Sequence, residues 1–412
     1  HGERLPGTLV RSEGDPDTGD VAVTEAWDGF GDTWRLFWAE YGRDSVDGAG
    51  LTLAGTVHYG RDYDNAFWDG ERMVFGDGDG EIFGRFTASI DVIGHELTHG
   101  VTQYTAGLRY AGQPGALNEH LSDVFGVLVR QRALGHDAAA ADWLIGADLL
   151  LPGVAGVALR NMLHPGTAYD DPRLGRDPQP DRMSGYIKTT DDNGGVHLNS
   201  GIPNRAFAVA ATTLGGPAWG ALGRVWYDVL TGDDITPTSD FAGFAALTVA
   251  AAGARFGATS AEADAVRAGW EAVEVTPTAA APAPSGVPAG PPAIPAPEDT
   301  DLTLRRTGGF AGLVSQRTTS LDELPRPDAR RWSKLLVGDE LARRAARERR
   351  VADGFDWVVC SECLAVDVTV PEEHLTAPQR ALFVRTLRPS SPGAADIAPS
   401  EPAPPSPTPE TP

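Results

Sequence analysis

The chain has 412 residues, 41% of them hydrophobic, and a formal net charge of −23. That length is enough for two or three domains with a sizeable core. No run approaches the ~18 to 20 apolar residues that cross a bilayer, so the sequence reads as soluble. The acidic balance argues against nucleic acid or an anionic membrane surface as the partner. Cys360 and Cys363 are the only cysteines, which excludes a disulfide scaffold. The chain opens at His1 with no visible signal peptide, so an upstream segment is expected to have been removed, processed or never included.

In chain order, TEAWDGFGDTWRLFWAEYGRDS (24–45) spaces Trp27, Phe30, Trp34, Phe37, Trp38 and Tyr41 largely three and four apart. That spacing predicts a helix with an aromatic core face. LTLAGTVHYG (51–60) and MVFGDGDG (73–80) read as strands closed by Gly/Asp turns. His58, in the first of them, is expected to be a packed or surface histidine. ALNEHLSDVFGVLVR (116–130) is a second helix, with Leu117, Leu121, Val124, Phe125 and Leu128 on its apolar face, and from there to about 276 the pattern stays mostly helical.

Composition then changes abruptly. Residues 277 to 297 hold eight prolines and seven alanines with no charge. Such a stretch cannot bury a core and predicts a semi-extended linker, at most about 65 Å long at ~3.1 Å per residue. Residues 299 to 388 regain β-like alternation around a basic helix. From Pro389 onward, nine prolines in 24 residues predict a disordered tail. The expected fold is α+β. A β-rich N-terminal lobe and an α-helical C-terminal lobe make up residues 1–276, followed by a 277–298 linker, a small α+β domain at 299–388 and a tail at 389–412.

DVIGHELTHG (91–100) carries the chemistry. On a helix, His95 and His99 stand on one face four residues apart, while Glu96 projects about 100° round the same turn. Two neutral nitrogens plus an unligated carboxylate suit a zinc hydrolase. Short H-E-x-x-H matches also arise by chance on surface helices, so further residues have to decide. Glu119, in NEHLSD, is the candidate third ligand. Asp123, one turn on, is placed to accept the outer N–H of a ligating histidine, and Asn118 to orient the other.

HELTHGVTQYTAGL, GALNE and SDVFG, in that order, resemble the thermolysin family of zinc metallopeptidases. DNAFWDG, MVFGDGDG, ALRNM and DNGGVHLNSGIPN resemble its other motifs, and the likeness covers roughly residues 5 to 275. SIDVIGHELTHGVTQYTAGL and GQPGALNEHLSDVFG look most like the protealysin subgroup.

The resemblance implies one catalytic zinc held by His95, His99 and Glu119, with Glu96 as general base. It implies Tyr110 and His197 as oxyanion donors, with Asp192 orienting His197. A donor so placed is worth ~3 kcal/mol. Asn65 and Ala66 match positions that hold the substrate backbone as an added strand. Arg160 matches the arginine that binds a substrate carbonyl. Phe83, Phe86, Val92, Ile145, Leu149 and Leu159 match the pocket just after the scissile bond. The implied activity is cleavage within polypeptides before bulky hydrophobic residues. A catalytically silent zinc-binding interaction protein on the same fold is the alternative, although it would be expected to have lost Glu96, Tyr110 or His197. Secretion is the habit of the wider family; a cytoplasmic location is the other option.

Relatives also bind a calcium pair near the metal helix. Here Asp91 and Asp142 remain, but Arg130, Leu144 and Ala147 stand at the other matching positions. A hard cation needs several oxygens, so this site is expected to be lost, with Arg130 pairing with Asp91 or Asp142.

LRRTGGFAGL (304–313) and the strands that follow resemble emfourin-type protease inhibitors. The resemblance implies a cis-acting inhibitor held over the cleft at an effective concentration of order millimolar; an accessory binding domain is the alternative. Cys360 and Cys363 are expected to form a local disulfide or to remain free thiols. Arg343 to Arg350 reads as a solvated face.

Overall fold

The computed structural model describes residues 2–278, 300–337, 340–346 and 351–387. Most of the expected linker, the expected tail and the end of the basic helix (347–350) lie outside the described residues. No helix among the described residues is long and apolar enough to cross a membrane.

Helix α1 (Val21–Tyr41) starts where Asp20 accepts hydrogen bonds from the backbone N–H groups of Ala22 and Val23, and stops at Gly42 in the left-handed region. Its aromatic face is buried only in part. Phe37 and Tyr41 are in the core, whereas Trp34 and Trp38 stack on each other at 5.5 Å and Trp38 is 50% exposed. The reason is close helix packing. Small residues (Ala22, Ala26, Gly29, Thr33) line the inner face, and a Cβ on Gly29 would stand 2.4 Å from Ile93 Cδ1.

Three short strands follow: β1 (Gly55–Thr56), β2 (Ala66–Trp68) and β3 (Met73–Phe75), in the order β1-β3-β2. The first expected strand is short because His58 turns to φ 57°, where a β-ladder cannot continue. That histidine bridges Asp20 at 3.0 Å and Asp77 at 2.8 Å. In the GDGDG loop Asp79 Oδ1 accepts from the N–H groups of Glu81, Ile82 and Phe83, which is turn chemistry as expected.

Helices α2 (Ile90–Gln103) and α3 (Gly112–Leu134) form the floor between the lobes, and residues 91 to 102 of α2 are all buried. Two antiparallel ribbons, β4 (Leu144–Ile145) with β5 (Arg160–Asn161) and β6 (Asp170–Asp171) with β7 (Gly175–Arg176), flank them. The helical lobe is completed by α4 (Asp192–Asn199), α5 (Gly201–Leu214), α6 (Ala221–Leu230), α7 (Phe241–Phe256) and α8 (Ala261–Ala272). A continuous apolar cluster runs through both lobes.

The last module is a four-stranded antiparallel sheet, β11-β10-β8-β9, built from β8 (Asp301–Gly308), β9 (Ser315–Ser320), β10 (Phe355–Ser361) and β11 (Val366–Pro371). Helices α9 (Arg326–Val337), α10 (Glu340–Ala345) and α11 (Ala377–Leu387) complete it, so the expected basic helix is two. Trp332, Trp357 and Phe383 form its separate core. Cys360 and Cys363 are not joined by a disulfide. Arg344 is tied to Glu340 and to the carbonyl of His374 rather than simply solvated.

Helix α3 packs tightly on α2 at Gly126, where a Cβ would lie 2.4 Å from the Asp91 carbonyl and 3.0 Å from the His95 backbone nitrogen. Gly126→Ala is therefore expected to push the helices apart and lower stability by about 1–3 kcal/mol. Denaturant unfolding checks this; an unchanged midpoint would show that the helices can slide past the added methyl.

Candidate metal centre and active site

One face of α2 presents His95 and His99, whose Nε2 atoms lie 3.1 Å apart. Glu119 approaches from α3, with carboxylate oxygens 3.5 Å from His95 Nε2 and 3.6 Å from His99 Nε2. A fourth residue joins them from the far end of the chain. Asp353 Oδ2 lies 3.2 Å from His95 Nε2 and 3.5 Å from His99 Nε2. The four donors fall within 4.8 Å of one another, and all four residues are buried. Glu119 Oε2 is buried with no hydrogen-bond partner. An orphaned carboxylate oxygen beside two imidazoles is costly without a cation, and two nitrogens with two oxygens at this spacing fit zinc.

Outside this cluster, each histidine's other ring nitrogen has a side-chain partner. His95 Nδ1 pairs with Asp123 Oδ1 at 2.8 Å, and His99 Nδ1 with Asn118 Oδ1 at 2.9 Å. Asp123 also receives Arg160 in a fork, Nε to Oδ2 at 2.9 Å and Nη2 to Oδ1 at 2.7 Å. Burial alone would raise the Asp123 pKa; Arg160 and His95 outweigh it and hold the carboxyl well below the usual range. His120, beside Glu119, turns the other way, between Asn204 Oδ1 and the Trp226 indole. Burial lowers its pKa to about 4, so it stays neutral.

Glu96 is fully buried. Its Oε2 accepts from the backbone N–H of Trp68 at 3.1 Å, while Oε1 has no partner. Burial, then the nearby Asp353 carboxylate, pushes its pKa well up. Asn193, Gly194 and Gly195 all take positive φ ahead of the helical turn that carries His197. This left-handed stretch lets Asp192 reach back to both the His197 N–H (2.9 Å) and Nδ1 (2.5 Å). Burial opposes a charged imidazole at His197, but Asp192 and Glu119 outweigh it and the pKa lies well above its ordinary value. Tyr110 Oη stands 3.2 Å from His197 Nε2 and in contact with a Glu119 carboxylate oxygen.

Of the remaining predicted residues, Asn65 and Arg160 already hold a residue of the chain itself. Phe310, from the turn after β8, is fully buried. It belongs to the apolar cluster that contains Phe83, Phe86, Val92, Ile145, Leu149 and Leu159. Its ring centroid lies 4.8 Å from that of His95, and the Arg160 guanidinium covers it at 4.4 Å. Asn65 Oδ1 accepts from the Phe310 N–H at 2.7 Å, and Asn65 Nδ2 donates to the Asp353 carbonyl at 2.6 Å. Arg160 Nη1 donates to the Phe310 carbonyl at 2.7 Å. Ala66 is buried next to Asn65 at the head of β2. A residual cavity lined by Leu159, Arg160, His197, Ala311 and Gly312 holds about 20 Å³, room for little more than a water.

Models of the thermolysin metallopeptidase catalytic domain and alpha-helical domain match residues 6–103 and 106–275, and an emfourin model matches residues 304–387. The chain is 57% identical over 273 residues to an extracellular metalloprotease of Pectobacterium carotovorum subsp. carotovorum, spanning 66% of this chain and 78% of that protein. The chain belongs to the thermolysin metallopeptidase family.

Protease PrtS of Photorhabdus sp. is 52% identical over 248 residues, covering 60% of this chain and 67% of PrtS. The solved precursor of protealysin from Serratia proteamaculans superposes with a TM-score of 0.66 at 57% identity, covering 67% of this chain and 85% of that one. This thermolysin-family chain is thus a protealysin-like metallopeptidase with an emfourin-like C-terminus.

Sequence reasoning missed three groups. Asp353 and Phe310 reach the site only through the folding of a separate module, although GGFAG had marked the turn. The Trp68 N–H is a backbone group with no residue-type signature.

Proposed function

We propose that residues 1–276 are a zinc endopeptidase cutting before bulky hydrophobic residues, and that the 299–388 domain, reached through the 277–298 linker, closes its cleft in cis. The observation that carries the reading is Phe310. A buried aromatic side chain packs against His95 and Arg160 while its N–H and carbonyl are held by Asn65 and Arg160, as a substrate residue after the scissile bond would be held.

Zinc bound by His95, His99 and Glu119 would supply a Lewis acid that activates the attacking water and polarises the scissile carbonyl. Glu96, desolvated so that it binds a proton readily, takes the proton of that water and delivers it to the leaving amine. Tyr110 and His197 face the point where negative charge develops, and Asp192 keeps His197 charged and aimed. Asn118 and Asp123 fix the two ligand rings. Asn65 and Ala66 hold the incoming backbone, and Arg160 binds the carbonyl that follows the cut. Secretion is the location in keeping with relatives named as extracellular metalloproteases.

Arg130 takes the place of the calcium pair that the family resemblance implies. Its guanidinium lies 3.5 Å from each of Asp91, Asp142 and Asp148. Asp148 had not been anticipated. Asp91 is fully buried and also accepts from Ser89 and the Gly146 N–H.

Peptide cleavage by the full chain and by residues 1–276 tests the reading, the second span containing both matches to the thermolysin metallopeptidase models. Removing the C-terminal domain is expected to raise turnover roughly tenfold or more; equal rates would end the cis-inhibitor proposal. Within 1–276, Glu96→Gln should keep bound zinc and lower kcat by about 10²–10⁴-fold. Normal turnover in that variant would remove Glu96 as the base. For Arg130→Ala the expected loss is roughly 2 kcal/mol in thermal unfolding, with added calcium leaving the unaltered chain's midpoint where it was. A calcium-dependent rise in that midpoint would return the cation to the site.

A further inference from the structure

The module over the cleft enters it at two points far apart in sequence, and the sheet register is what joins them. In the β8–β10 pairing Gly308 stands opposite Phe355. The turn that follows β8 (309–313) and the loop that precedes β10 (351–354) therefore leave the same end of the sheet side by side. Gly309 N–H donates to the Gly354 carbonyl, and Gly308, Gly309 and Gly312 all take positive φ. A Cβ at Gly309 would stand 2.5 Å from the Phe355 ring, and one at Gly312 would stand 2.9 Å from His197 Cβ. The glycines let the turn lie flat on both its own sheet and the site.

Resting on the reading of residues 1–276 as a zinc peptidase, we infer that these two loops form a split substrate mimic that the site binds and cannot cut. Phe310 fills the pocket after the scissile bond, and Asp353 Oδ2 completes the metal's ligand set where the attacking water would stand.

Three observations support this. First, the Asp353 carboxylate matches both halves of the machinery at once. Oδ2 belongs to the donor cluster with His95, His99 and Glu119. Oδ1 accepts from Tyr110 Oη at 2.6 Å and pairs with His197 Nε2 at 3.0 Å, the two groups assigned to the developing oxyanion.

Second, the peptide bond in the cutting register is withheld. If Phe310 is the residue after the cut, the bond at risk is Gly309–Phe310. The Gly309 carbonyl accepts the Gly312 N–H at 2.8 Å inside the plug's own turn.

Third, the two loops are locked to one clamp. Asn65 receives the Phe310 N–H and donates to the Asp353 carbonyl, so a single side chain fixes the spacing between anchor and cap. A continuous peptide threading the cleft would have to present its scissile carbonyl; a split one does not.

The test uses the zinc- or cobalt-loaded full chain. In an otherwise unchanged chain, Asp353→Ala is expected to alter the cobalt d–d spectrum and to speed zinc loss to a chelator by about tenfold or more. Asp353→Asn, which keeps the shape of the side chain but not its charge, should move both readouts in the same direction. Mass spectrometry of the unaltered full chain should find the Gly309–Phe310 bond intact after prolonged incubation with zinc. Unchanged spectra and release rates in both variants would overturn Asp353 as a ligand, even if the full chain proves less active than 1–276. A cut at Gly309–Phe310 would overturn the claim that the mimic resists cleavage. Equal activity of the full chain and 1–276 would instead count against the occlusion on which the inference rests.

Discussion

The site depends on one buried carboxylate. Asp123 uses both its oxygens twice, toward His95 Nδ1, the Arg160 fork and Asn204 Nδ2 at 2.8 Å, and so ties α2, α3, β5 and α5 together at a single point. Its contribution is placement more than stability, because burying an ion pair roughly cancels the attraction it gains against lost hydration. Removing either partner would strand a charge in the core. The pair therefore fixes two directions at once: the His95 ring toward the metal cluster, and the remaining Nη1 of Arg160 onto the Phe310 carbonyl. Catalytic floor and substrate clamp share one anchor.

Much of this was legible in the sequence because helices put chemistry at fixed intervals. His95, Glu96 and His99 follow from a 3.6-residue turn, and Asp123 from one turn beyond Glu119. Asn118 and Asp192 fell where their motifs placed them. The aromatic stripe of α1 misled in part, since periodicity shows which residues share a face but not how close the neighbouring helix comes; Gly29 and Ala26 bring α2 in and leave Trp38 outside. His58 broke its strand because its two carboxylate partners lie 38 and 19 residues away and only the fold joins them.

Asp353 was the least visible residue of the site. Nothing in VADGFDWVV separates it from any loop aspartate, and 258 residues divide it from His95. Its meaning comes from the electrostatics of its surroundings. The chain as a whole carries −23, yet the cleft floor gathers three imidazoles and a guanidinium beside the carboxylates of Glu96, Glu119, Asp123 and Asp192. Burial opposes a charged Asp353, but His99 and the bonds from His197 and His95 outweigh it and hold the carboxyl well below its ordinary pKa. An acidic group entering this cleft exchanges hydration for partners already aimed at negative charge.

On the proposed reading, inhibition and catalysis draw on the same groups. A site built to stabilise a transition state holds its oxyanion donors where substrate carbonyl oxygen is not yet fully charged. A carboxylate arrives with the charge already formed, so Tyr110 and His197 bind it more strongly than they bind a ground-state peptide. Phe310 adds the apolar burial that a substrate side chain would bring, and the tether supplies proximity. The plug thus gains the interactions that normally drive bond cleavage while a side-chain carboxylate, and not a peptide carbonyl, meets the oxyanion donors, and this is why its two parts have to come from different loops.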